Sequence, residues 1–221
     1  VLSETVATRV KYLTDYQDEA LAKRFSDMIA RIAKAEAEKT PGQTGLAEAV
    51  ATGYYKLLAY KDEYEVARLY TDGRFEQSIK DAFDGSHKFE FHLAPPAFAW
   101  FHKDKVTGHP RKISLGAWML PVFRFLAKGK KLRGTRWDLF GLTAERRLER
   151  QMILDYEAIL GEIERRLSKD THATAIALAR LPEEIRGFGH VKMGNYEKAK
   201  RKEAALLGML RDPRPARVAA E

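Results

Sequence analysis

The chain has 221 residues with 45% apolar and 32% charged side chains, enough for a real core in one domain or a little more. It contains no cysteine, which excludes disulfides, thiolate catalysis and cysteine-ligated zinc or iron–sulfur clusters within it. Its net charge of +8 is concentrated, because residues 111–150 hold eleven Lys/Arg against three Asp/Glu.

No run of eighteen apolar residues marks a membrane span. The start lacks the order of a signal peptide, so a cytoplasmic location is expected. A first residue Val1 instead of Met is expected of a piece of something longer.

Residues 3–38 read as one long helix. Ser3 can cap it, and Val6, Val10, Leu13, Gln17, Leu21, Phe25, Met28, Ile32 and Ala35 recur at steps of three and four. Unbroken, it would span roughly 50 Å and need several partners or a second copy of the chain. Thr40-Pro41-Gly42 ends it. A second helix is expected from about Leu46 to Tyr70, with Leu46, Val50, Tyr54, Leu57 and Tyr64 as its buried stripe. Glu65 and Arg68 share a face and should form a local ion pair. Asp72-Gly73 is a turn, followed by a shorter helix from Arg74 to Phe83.

The pattern changes at Ser86. Lys88 to Leu93 alternates, with Phe89, Phe91 and Leu93 on one side, as in a half-buried strand. Pro95-Pro96 stops it, Asp104 to Gly108 is a turn signal, and Arg111 to Leu115 suits a return strand. Trp118 to Lys128 is helical, with Pro121 tolerable only in the first turn. Gly129 to Trp137 is a basic loop. Thr143 caps the clearest helix, whose stripe is Leu148, Met152, Tyr156, Ile159, Ile163 and Leu167. Asp170 or Thr171 starts an alanine-rich helix ending at Leu181, and Asn195 is expected to cap a last helix to about Leu210. From Asp212 the chain reads as a frayed tail. The whole is a mainly α, bundle-like single domain over 1–211 with a small β-hairpin near 86–115.

The segment Leu181 to Lys192, Leu-Pro-Glu-Glu-Ile-Arg-Gly-Phe-Gly-His-Val-Lys, reads as one helical turn and a tight loop. Pro182 suits a first turn, and Gly187 and Gly189 act as a helix stop and a free joint. The loop should present Arg186, Phe188, His190 and Lys192. Such a loop either binds something or locks a domain to its neighbours, and the second reading is preferred.

The basic block offers an anion site at Arg124, Lys128, Lys130, Lys131, Arg133 and Arg136. Aromatic residues among these cations (Phe123, Phe125, Trp137, Phe140) suggest a single-stranded nucleic-acid surface, yet at helical spacing Phe123 and Phe125 read rather as core. Nucleic acid is therefore not the expected partner. His102, Asp104 and His109 match no helical ligand pair, and His87 and His92 point to opposite strand faces, so no metal is expected. Gly187-Phe-Gly189 lacks the third glycine and preceding strand of a dinucleotide fingerprint, and Gly129-Lys130 lacks the rest of a phosphate loop. No nucleophile elbow is present. The residues by themselves mark no catalytic centre.

Five blocks together carry a resemblance: Ala59 to Phe75 (Ala-Tyr-Lys-Asp-Glu-Tyr-Glu-Val-Ala-Arg-Leu-Tyr-Thr-Asp-Gly-Arg-Phe), His92-Leu-Ala-Pro-Pro96, Trp118-Met-Leu-Pro121, Thr143-Ala-Glu-Arg-Arg147, and Leu181 to Lys192. From about residue 4 to 212 the chain resembles the C-terminal region of the long, fused indolepyruvate ferredoxin oxidoreductases of bacteria. The resemblance implies a parent enzyme that oxidatively decarboxylates aryl pyruvates to acyl-CoA, with thiamine diphosphate, Mg and iron–sulfur clusters, and passes electrons to ferredoxin. It implies no catalytic residue here. The Gly-Asp-Gly motif and paired asparagines of such thiamine enzymes are missing, since Asp72-Gly73 follows Thr71 and the one asparagine is Asn195. Expected partners are other domains or subunits of the parent, ferredoxin, or a second copy, with CoA phosphates as an alternative ligand of the basic block.

Overall fold

The computed structural model describes residues 2–83, 90–93 and 113–213, apart from the side chains of Leu93 and Ile113. The described residues form nine α-helices and one two-stranded antiparallel ribbon: α1 (Leu2–Tyr16), α2 (Glu19–Lys39), α3 (Leu46–Leu58), α4 (Glu63–Thr71), α5 (Arg74–Ala82), β1 (Glu90–Leu93), β2 (Ile113–Gly116), α6 (Met119–Lys128), α7 (Ala144–Arg166), α8 (His172–Arg180) and α9 (Gly189–Arg211). Short 3-10 turns lie at Gly129–Leu132, Phe140–Leu142 and Leu181–Glu184. The mainly α architecture with a small antiparallel β element is as the sequence predicts. Residues 94–112, with their expected turn, proline stop and histidines, lie outside the described residues, as do His87, Phe89 and the tail from 214.

Packing divides the chain into two compact units, Val1–Tyr60 with Arg133–Glu221, and Lys61–Leu132. In the first, the stripes of α2, α3, α7 and α8 meet in one core. Leu13, Phe25, Ile32, Val50, Tyr54, Tyr156, Leu160, Ile163 and Leu178 belong to it. Its aromatic centre runs from Phe25 through Tyr54 to Tyr156, stacked at 6.1 and 6.0 Å between ring centroids. In the second unit, α4 and α6 pack together, and a smaller core gathers Ala67, Phe91, Met119 and Phe123. Tyr70 stacks on Phe123 at 5.5 Å and meets Phe91 edge-on at 4.9 Å. The ribbon pairs Phe91 with Leu115 and His92 with Ser114. The expected ion pair is present and buried, with Arg68 Nε and a terminal nitrogen donating to Glu65 at 2.8 and 2.7 Å.

Two of the expected long helices are broken, each by an aspartate. The 3–38 helix ends at Tyr16 and restarts at Glu19, because Asp18 in extended geometry accepts the Leu21 amide at 2.8 Å. The 46–70 helix ends at Leu58, and Asp62 caps α4 by accepting the Glu65 amide at 2.8 Å. The last helix starts earlier than expected, at Gly189. Asn195 is not its cap, because its amide donates back to the Arg186 carbonyl at 2.9 Å.

Candidate interaction surfaces

The Leu181 to Lys192 segment is fixed from several sides within the first unit. Pro182 sits in the 3-10 turn, and its carbonyl accepts from Lys56 Nζ of α3 at 2.6 Å. Just before the turn, the Ala179 carbonyl accepts from the buried Tyr156 hydroxyl of α7 at 2.7 Å. After the turn the chain passes Gly187 (φ +95°) and Gly189 (φ +55°), conformations that a side chain would disfavour. Beyond this bend, the Lys192 ammonium bonds to Glu149 of α7, whose side chain is buried.

Arg186 and Phe188 stay outside helices, and both are exposed. His190 and Lys192, expected on the loop, lie instead in the first turn of α9. Arg186 donates to the Glu183 carbonyl at 2.7 Å. The cations gathered here act on one another. Burial pushes the Lys56 ammonium below its ordinary range, and Arg186 and Lys192 add to this against Glu183 and Glu149. So the segment brings its cations together, but it holds Lys192 in an ion pair and uses its backbone as a joint.

Beside that joint a mostly apolar cleft of about 300 Å³ opens between the first turns of α7 and α9. Ala144, Glu145, Leu148, Glu149, Gly189, Lys192 and Met193 line it. Phe188 (76% exposed), Val191 and Met193 carry exposed apolar surface at this end of α9.

The six residues of the expected anion site fall in both units. Arg124, Lys128, Lys130 and Lys131 belong to the second unit, Arg133 and Arg136 to the first. Arg133 is not a surface residue. It is buried, donates to the Tyr16 carbonyl at 2.8 Å and lies 3.7 Å over the Tyr16 ring, so it closes the end of α1. Arg124 pairs with Glu76 at 3.2 Å, and Arg136 stacks on Trp137 at 5.1 Å. Lys128 and Lys131 are exposed. Phe123 is core as expected, whereas Phe125 points outward and is 76% exposed.

Two polar clusters, one buried and one half-exposed, escaped the sequence reading. Glu36 of α2 accepts the Leu46 and Ala47 amides at 2.8 and 3.0 Å, and its Oε1 lies 2.8 Å from His172 Nε2 of α8. Glu157 of α7 takes two bonds from Arg24, at 2.7 and 2.8 Å, and one from the Tyr54 hydroxyl. Burial works to raise the Glu157 carboxyl, but the bonds from Arg24 and Tyr54 outweigh it and hold the group below the ordinary carboxylate range. Among the described residues, no three His, Asp or Glu side chains gather as metal ligands do. No helix among them is long and apolar enough to cross a membrane.

The far end of α9 is tied to α7 by Arg211, which donates to both oxygens of Glu162 at 2.7 and 2.8 Å. Those bonds, with help from Arg166, hold the Glu162 carboxyl at about 2 instead of 4.5. A lowered carboxylate pKa stabilises the fold above the ordinary value, and this is lost as pH falls through the lowered one. Glu162→Gln should therefore lower the melting temperature at neutral pH, and the gap from wild type should close between pH 4.5 and about 2. Thermal melts of both proteins across that window check it.

These features define a mainly helical chain whose polar clusters brace its helices and which exposes Phe188, Val191 and Met193 at the start of α9. The chain belongs to a family of unknown function, DUF6537, whose model matches residues 2–205. No curated protein and no solved structure matches it in the corresponding comparisons.

Proposed function

We propose that this chain is a non-catalytic interaction domain of an indolepyruvate-type 2-oxoacid:ferredoxin oxidoreductase, working in the cytoplasm. One observation supports the reading above all. The Leu181 to Lys192 string, among the most specific parts of the resemblance, is spent on a braced joint, and that joint ends in the exposed apolar side chains of Phe188, Val191 and Met193. A rigid bend with a bare apolar end suits docking on other domains or subunits of the parent. The cofactor chemistry belongs to other regions of the parent. This chain has no cysteine for clusters, and its one asparagine, Asn195, is engaged by the Arg186 carbonyl. Deleting residues 1–221 from the parent should break subunit assembly, read as native mass, and lower turnover with it. Intact assembly with intact turnover would overturn the proposal.

A second reading is favoured by Lys128 and Lys131, exposed in a stretch from Lys105 to Trp137 that has no Asp or Glu. On that reading the domain recognises an anionic partner of the parent, such as CoA phosphates or an acidic ferredoxin. Deletion would then leave assembly intact and raise the KM for that partner, and the interaction would weaken steeply with salt.

A further inference from the structure

The described residues of the second unit cover only part of α6. Met119 and Phe123 are buried in its core, and Leu120, Leu126 and Ala127 pack against it. At about 100° per residue, the helix turns Trp118, Val122 and Phe125 away from that face and onto a single ridge. These three are 63%, 39% and 76% exposed. Apolar side chains at i, i+4 and i+7 are the pattern by which a helix seats in a groove of another protein.

Charge is placed on one edge of this ridge. Arg124 and Lys128 stand one turn apart along it, and Lys131 follows in the 3-10 turn. Arg124 is exposed but held by Glu76, and Lys128 and Lys131 are exposed beside it. The other edge runs into the buried side at Leu126 and Met119. The chain from Lys105 to Trp137 itself contributes no Asp or Glu to the cationic edge.

We propose that the outer face of α6 docks into an apolar groove of an acidic partner protein, with Trp118 and Phe125 as anchors. A carboxylate-lined wall of that groove faces Lys128 and Lys131. A second copy of this chain suits the ridge less well, because a two-fold contact presents the same stretch of chain, which has no Asp or Glu from Lys105 to Trp137 to meet these cations. A lipid surface also suits it less well, because a helix lying in the membrane plane carries a broad apolar face with a charged face behind it, and the back of α6 is core. The inference deepens the interaction reading and rests on it for the view that this domain makes contacts. It does not depend on which parent carries the chain.

The test places a photoreactive benzoylphenylalanine at position 125 of the full natural polypeptide in its own cells, with position 48 on α3 as an exposed control. The protein joined at 125 is identified, purified and titrated against wild type, Phe125→Ala and Lys128→Glu. The proposal expects a different, acidic protein joined at 125 and not at 48. It also expects binding weakened about tenfold or more by Phe125→Ala and weakened further by salt and by Lys128→Glu. Circular dichroism should show both variants folded, since both side chains are exposed. A crosslink within the same polypeptide, to a second copy or to lipid, no crosslink, or affinity unchanged in Phe125→Ala would each overturn it. If this fails while the deletion still breaks assembly, the ridge is wrong and the interaction domain stands.

Discussion

Glu36→Ala should cost the first unit about 3–5 kcal/mol, the scale of breaking a buried, hydrogen-bonded charged cluster by removing one member. The carboxylate does two jobs at once. Gly45 stands at the N-cap of α3 with φ +110° and has no side chain, so it cannot satisfy the first amides of the helix. Glu36 supplies both acceptors from α2, through Oε1 to Leu46 and Oε2 to Ala47. The same Oε1 meets His172 at 2.8 Å, which draws the start of α8 to the same point. Removing it leaves two buried amides without their acceptor and a buried imidazole without its partner. Glu36→Gln should recover only part of the loss, because an amide nitrogen must then face one of the two backbone N–H groups. Urea unfolding followed by circular dichroism measures the cost. Hydrogen exchange at the Leu46 and Ala47 amides localises it, and unchanged protection there would refute the assignment.

Whether a feature could be read from the sequence depended on how local its cause is. The stripes of α3 and α7 were plain because burial repeats along one helix: Leu46, Val50, Tyr54, Leu57, Met152, Tyr156, Ile159 and Ile163 are all buried. The Glu65–Arg68 pair was equally plain, as its partners are three residues apart. The breaks at Asp18 and Asp62 were missed because the apolar period runs across them. Gln17, the one polar member of the first stripe, marked the first break. Asp62-Glu-Tyr-Glu65 has the spacing of a capping box and marked the second. Phe125 was misplaced for the opposite reason. Its helical spacing is regular, but α6 has two apolar faces and the core covers one. The Glu36–His172 and Glu157–Arg24–Tyr54 clusters join residues more than a hundred positions apart, and no periodicity signals them. The bend at Gly187 and Gly189 could be foreseen from glycine alone, whereas the bracing of Lys192 by Glu149 needed the fold.

Gly53→Ala should destabilise the first unit by about 1–3 kcal/mol, against the usual rule that alanine is better than glycine inside a helix by about 1 kcal/mol. A Cβ at position 53 would lie 2.5 Å from the Ala179 carbonyl oxygen, 2.9 Å from the Tyr156 hydroxyl and 3.3 Å from Pro182 Cγ. The first of these is backbone at the end of α8, which cannot swing aside as a side chain does. The second is the hydroxyl that donates to that same carbonyl, so relieving one clash strains the bond between the other two. Gly208 in α9 is the matched control, because nothing lies within 4 Å of a Cβ there, and Gly208→Ala should stabilise or leave stability unchanged. Opposite signs for two helical glycines in one protein would isolate close packing from helix propensity. The α3 to α8 crossing carries the turn at Leu181–Glu184 through the Lys56 bond to Pro182. Gly53→Ala should therefore also loosen the start of α9, seen as faster hydrogen exchange at residues 189–193 than at the far end of that helix. A uniform change along α9 would mean that the bend is held by Glu149 and Lys192 without help from α3.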